Sequence, residues 1–330
     1  MSVTITSFNK FQKPLVGQGL IIADHTIVAD YENIPQQYID DVKKMWVVIA
    51  GESHSQAVRD GLTALETSDA TYAVSVVESG TPDAYTTSNL RASRATWGDY
   101  SHSSTWIYDY GEEDWWSNAT AVSRTQNGIA YCNSNSLTIS AIGFGWCWDA
   151  MGGGPADHVD AEHNDVHWYG ACSLGDGQTY LSCWGLDEAD EALTDTVVCL
   201  DTYLTSTQAI SDYCTTNNIP TKVYFTTGPV DTWDGTYGTE AMYQAYLKYQ
   251  RIRDYVNAQD NAILFDYADI LCYDDNGTPT TGSWSGHSYP LITTTNLGDT
   301  LVGHIGAAGA LRLAKAMWWM LARIAGWDGN

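Results

Sequence analysis

The chain has 330 residues, of which 44% are hydrophobic and 17% charged. That balance builds a folded protein with a sizeable core and excludes a disordered chain. Against 15 Lys and Arg stand 40 Asp and Glu, a formal net charge of -25; such a surface repels nucleic acid and anionic membranes, so neither is an expected partner.

Residues 1–33 read as an N-terminal arm with short strand-like pieces, Leu20-Ile21-Ile22 and Thr26-Ile27-Val28. Pro35 opens a helical stretch from Gln36 to Lys44, as proline does in a first turn. The apolar run Trp46-Val47-Val48-Ile49-Ala50 then stops at Gly51. Glu52, Ser53 and His54 follow at once, with a helix expected from Gln56 to Leu65. A buried strand that ends in glycine and delivers a hydroxyl has the pattern of a nucleophile at the carboxyl edge of a sheet. The plainer role open to Ser53 is capping of the next helix.

A second apolar segment, Tyr72 to Val77, ends in Glu78-Ser79-Gly80. Residues 81–135 are polar and aromatic, with Arg91, Arg94, Trp97, Gly98 and a helix expected from Asp114 to Gln126. The two arginines suit either an anionic ligand or local salt bridges. A third strand is expected within Leu137 to Trp146, running into Cys147, Trp148, Asp149 and a glycine loop. No Gly-Lys-Ser/Thr follows it, so a Walker phosphate loop is excluded. Residues 155–195 read as a loop or lid holding His158, His163 and His167 among Asp157, Asp160, Glu162 and Asp165. A metal site is conceivable from those ligand types, but no His-Glu-x-x-His occurs, and no metal is expected there.

The second half alternates regularly. A helix from Asp195 to Thr215 leads to a strand at Lys222–Thr226, then a helix from Glu240 to Val256 and a strand at Ala262–Phe265. A Gly, Thr and Ser-rich loop (275–299) precedes Leu301-Val302-Gly303-His304 and a terminal helix from Ile305 to Ile324. Alternating strands and helices predict one α/β domain, a three-layer α/β/α sandwich on a central parallel sheet. Residues 81–135 and 146–195 are expected as long loop insertions near the active site.

The seven cysteines form no CxxC pair, which argues against a zinc ribbon or redox motif. Cys147 and Cys199 sit in apolar runs and suit reduced core residues, whereas Cys132, Cys172, Cys183 and Cys214 lie near expected loops and suit disulfides in an oxidising compartment. Trp (14) and Tyr (21) far outnumber Phe (5), a choice that suits either stacking on sugar rings or packing at the wet edge of a core.

A serine attacks a carbonyl only if a base takes its proton, and histidine oriented by a carboxylate is the usual base. His304, on the loop before the last helix, is the best placed. His54 adjoins Ser53, and neighbouring side chains normally diverge, so it is read as a substrate contact. His287 is the reserve base.

Gly51-Glu52-Ser53-His54-Ser55 after a strand resembles the first block of the SGNH/GDSL hydrolase superfamily, where Gly-Asp-Ser is usual. His304 before a final helix, with Gly309, Leu311, Leu313 and Ala314 following, resembles its last block. Tyr224 to Pro229 and Ile263 to Ile270 read like the corresponding parts of divergent secreted bacterial members. The resemblance spans residues 40–325. It implies flavodoxin-like layering, ester hydrolysis through an acyl-enzyme at Ser53, no cofactor, and a secreted or extracellular setting. Met1-Ser2-Val3-Thr4 lacks a basic region followed by an apolar one, so the expectation is either a cytoplasmic protein or a secreted one whose signal peptide is absent from this chain.

The pattern departs from that superfamily in three places, the first and mildest being Glu52 for the usual aspartate after glycine. The acid expected three residues before the base falls on Leu301, which leaves Asp299 as the nearest substitute, or a Ser-His dyad. The Gly-x-Asn-Asp block is missing, and Gly143 to Asp149 stands in its place without an asparagine. The oxyanion hole is then expected from the backbone of Ser53 with Gly80 or Gly98, and Trp146 or Asn133 is the side chain that would replace the asparagine. Trp97, Trp146, Trp148 and Asp149 join His54 as expected substrate contacts. The leading expectation is a serine esterase acting on O-acetyl groups of a carbohydrate, with small acyl esters next. The alternatives are a glycan-binding protein without catalysis, and a polysaccharide lyase or glycosidase built on residues 157–167.

Overall fold

A computed structural model describes residues 19–51, 53–77, 86–94, 119–145, 200–230, 238–284, 286–298, 301–302 and 304–330. Seven parallel strands form the central sheet: β1 (Ile21–Ala23), β2 (Trp46–Gly51), β3 (Val74–Val77), β4 (Leu90–Ser93), β5 (Ala141–Gly145), β6 (Lys222–Thr226) and β7 (Ile263–Phe265). Their order is β1-β7-β6-β5-β2-β4-β3, with every neighbouring pair parallel. Strand β2 reads as a continuous apolar run because it is covered on both faces, and Trp46 to Ala50 are all buried.

The helices are α1 (Gln36–Val42), α2 (Ser53–Ser68), α3 (Ala119–Ser134), α4 (Leu200–Thr216), α5 (Gly238–Asn257), α6 (Tyr267–Cys272), α7 (Thr294–Leu297) and α8 (Ala307–Ile324). Strand order dictates their faces, because parallel crossovers are right-handed. From β2 the chain moves through α2 to the β3 edge, whereas from β5 and β6 it moves through α4 and α5 the opposite way. Helix α2 therefore lies on one face of the sheet, and α4 and α5 on the other. The first face is completed by α1 and α8, which pack together, and α8 also packs along α2. Met317 to Ala322 of α8 are all buried, as expected of a helix enclosed by neighbours rather than lying on a surface. The predicted three-layer α/β/α sandwich is the architecture found.

Several local expectations are corrected. The stretch read as an arm supplies β1, which pairs with β7 at the sheet edge, and Thr26-Ile27-Val28 lies in a 3-10 turn region rather than a strand. Residues 81–135 are not one insertion, since β4 sits inside the sheet between β2 and β3 and α3 packs on α4. The Gly, Thr and Ser-rich loop contains an antiparallel hairpin, β8 (Thr280–Trp284) with β9 (His287–Leu291), as well as α7. Cys132 and Cys214 are buried in α3 and α4 rather than set in loops. Cys147, Cys172, Cys183 and Cys199 lie outside the described residues. Among the described residues no helix is long and apolar enough to cross a membrane.

Candidate active site

Chain direction reverses between β2 and β5, which are neighbours in the sheet. In open parallel sheets ligands bind outside the carboxyl ends of strands at such a switch point. Gly51 ends β2 there with φ 105°, a left-handed conformation that suits glycine. A methyl group on it would also collide with the Gly145 carbonyl oxygen at the end of β5. The two strand ends are thus drawn together, and α2 opens two residues later at Ser53. The helix begins three residues earlier than the pattern predicts, so Ser53 stands in its first turn. The first backbone N–H groups of a helix lack intrahelical acceptors and carry the positive end of its dipole.

The turn from strand to helix is braced from below. Arg59, buried on α2, donates from Nη1 to the Ile49 carbonyl at 2.7 Å and to Ser55 Oγ at 2.8 Å. One guanidinium therefore ties the end of β2 to the first turn of α2. Tyr224 on β6 adds a hydrogen bond from its hydroxyl to the Val48 carbonyl at 3.2 Å. Its burial pushes the phenol far above its ordinary range, so it stays a donor.

His304 reaches this edge by another route. The strands β10 (Leu301–Val302) and β11 (Ile305–Gly306) form a small antiparallel hairpin, and His304 occupies its turn with φ 66°. Helix α8 starts directly after β11 and crosses α2 closely: a Cβ on Gly61 would strike the Ala310 carbonyl oxygen. The crossing fixes the start of α8 relative to α2. His304 is exposed, and its ring stacks on that of His54, with centroids 5.0 Å apart and 27° between planes. His54 is 2% exposed, and Tyr267 at the start of α6 meets it edge-on at 6.2 Å. Burial, reinforced by the nearby His304, lowers the His54 pKa to about 3, so its ring is neutral at physiological pH.

The expected base thus arrives beside the residue that follows Ser53. His54 itself is not the substrate contact expected from sequence, because it lies buried under His304. The reserve base His287 sits in the β8–β9 hairpin, its ring stacked on Tyr243 of α5 with centroids 4.8 Å apart. Arg91 lies in β4, buried with its guanidinium 5.0 Å from the Trp46 ring centre, which excludes it as an exposed anion site. Asp299, Gly80, Gly98, Trp97, Trp146, Trp148 and Asp149 lie outside the described residues, as does the cluster 157–167.

Sequence reading missed a second polar cluster, at the ends of β1 and β7. Asp269 Oδ2 accepts the His25 backbone N–H at 2.9 Å and lies 2.5 Å from His25 Nδ1. The His25 ring stacks on Tyr273 at 3.5 Å. Beside it, Asp266 is gripped by Arg253 through Nε at 2.6 Å and Nη2 at 2.8 Å and accepts from Thr227 Oγ1 at 2.8 Å. Burial, together with Asp266, raises the Asp269 pKa. Asp24, His25 and Asp269 each offer one ligand atom within 4.8 Å of one another and could hold a metal ion. Asp24 already caps Thr26, however, and Asp269 already binds His25, so the cluster is accounted for as a clamp joining edge strand β1 to β7. Its partners are 244 residues apart, a pairing that no local sequence signal discloses.

No protein-family model, no curated protein and no solved structure matches the chain.

Proposed function

We propose that the protein is a serine hydrolase that cleaves esters, with Ser53 as nucleophile and His304 as base. The observation that carries this reading is the stacking of His304 on His54, the neighbour of Ser53, at the switch point of the sheet. His304 takes the Ser53 proton as the hydroxyl oxygen attacks the ester carbonyl, and returns it to the departing alcohol. Water, deprotonated by the same ring, then releases the acid from the acyl-enzyme. Backbone N–H groups in the first turn of α2 are oriented donors for the developing oxyanion. The β2–α2 brace through Arg59 supports this role by holding that turn to the strand.

Asp299, five residues before His304 in the sequence, is the carboxylate we assign to orient the base. Carbohydrate O-acetyl esters are the substrate class we favour, because the chain is rich in Trp and Tyr, which stack on sugars. One observation favours a second reading, that of a glycan-binding protein without catalysis: the segment after β5 lacks the oxyanion asparagine of the superfamily it resembles. Hydrolysis of an aryl acetate and of an acetylated polysaccharide separates the two. The enzyme reading expects turnover by the wild-type protein and a fall of at least about 10³-fold in Ser53→Ala. Equal rates in both proteins would sink it.

A further inference from the structure

We infer that His54 is a positioning residue for the base: its buried imidazole is the flat platform that sets the ring plane of His304. The inference rests on the reading of Ser53 and His304 as nucleophile and base. His304 is exposed, in a turn whose backbone is left-handed at φ 66°. Glycine fills such positions without strain, whereas a histidine there carries the steric cost of its Cβ. Held only by its backbone, an exposed side chain would sample several rotamers, and a general base that samples several loses alignment.

The described structure supplies a face that limits this freedom. The His54 ring lies 5.0 Å below that of His304 at a 27° tilt. It is fixed in turn by burial at 2% exposure and by the edge of Tyr267. A leucine would fill the same volume at this helix position at lower desolvation cost, but it offers no flat face. Remaining neutral, the lower ring neither competes for the serine proton nor repels the imidazolium that His304 becomes.

The test is labelling by a fluorophosphonate, with kinact and KI determined for wild type, His54→Leu and His54→Phe. Misplacing a catalytic group by about 1 Å costs up to ~10²-fold, so His54→Leu is expected to lower kinact by about 10–100-fold with KI little changed. His54→Phe restores a flat ring and is expected to recover kinact to within about threefold of wild type. Wild-type kinact in His54→Leu overturns the platform, and so does a Phe variant as slow as the Leu variant. Absence of label on the wild-type protein overturns the reading of Ser53 itself, and the inference with it.

Discussion

The ring of exposed His304 lies on the ring of buried His54, with centroids 5.0 Å apart, although 250 residues of sequence separate them. Two helices make this meeting possible. His54 stands in the first turn of α2, His304 stands just before α8, and α2 and α8 pack against each other.

The buried ring has a consequence for acid stability. Its pKa falls from 6.5 to about 3 on folding, chiefly through desolvation. Above pH 6.5 neither the folded nor the unfolded chain carries the proton, and the group is silent. Below it the unfolded chain binds a proton that the folded chain refuses, so stability falls with pH until about 3, by roughly 1 kcal/mol per pH unit. His54→Phe removes this term. Urea midpoints measured from pH 7 to pH 4 are expected to fall more steeply for the wild type than for the variant, and parallel curves would contradict the burial of a neutral His54.

Gly61 sets the approach of α2 to α8. Alanine at an exposed helix position would stabilise by about 1 kcal/mol. Here the added methyl meets the Ala310 backbone, which cannot swing aside as a side chain can, so the steric term wins. Gly61→Ala is expected to destabilise by roughly 1–3 kcal/mol in chemical unfolding. An unchanged or raised midpoint would mean that the two helices do not touch there.

Arg59→Met retains the apolar stem and removes the donor to Ile49 O and Ser55 Oγ. Withdrawing a buried donor costs roughly 1–3 kcal/mol for each acceptor stranded. The variant is expected to lose stability on that scale and also to acylate more slowly, because the strand-to-helix turn loosens. A variant with wild-type stability would show that the brace contributes nothing.

What the sequence disclosed depended on how local the signal was. The strand at Lys222–Thr226 has the predicted bounds, since its apolar run is flanked by breakers. The layered fold was legible from the alternation of such runs. β4 was not, because Leu90-Arg91-Ala92-Ser93 carries an arginine and a serine into the core. Both are accommodated by Trp46 on β2, whose indole N–H donates to Ser93 Oγ at 2.7 Å while its ring faces Arg91. Leu20-Ile21-Ile22 was legible as a strand-like piece and forms part of β1, but its place in the sheet was not, because its partner β7 lies far along the chain. At the site, the segments bearing Ser53 and His304 were identifiable from a strand ending in glycine and a histidine before a helix. The histidine stack between them was not, for it follows from the α2–α8 crossing.

The most direct test of the central claim is to map a fluorophosphonate adduct by peptide mass spectrometry. A single adduct on Ser53 is expected, lost in Ser53→Ala and strongly slowed in His304→Ala. An adduct on another residue, or none on a folded protein, would contradict that claim.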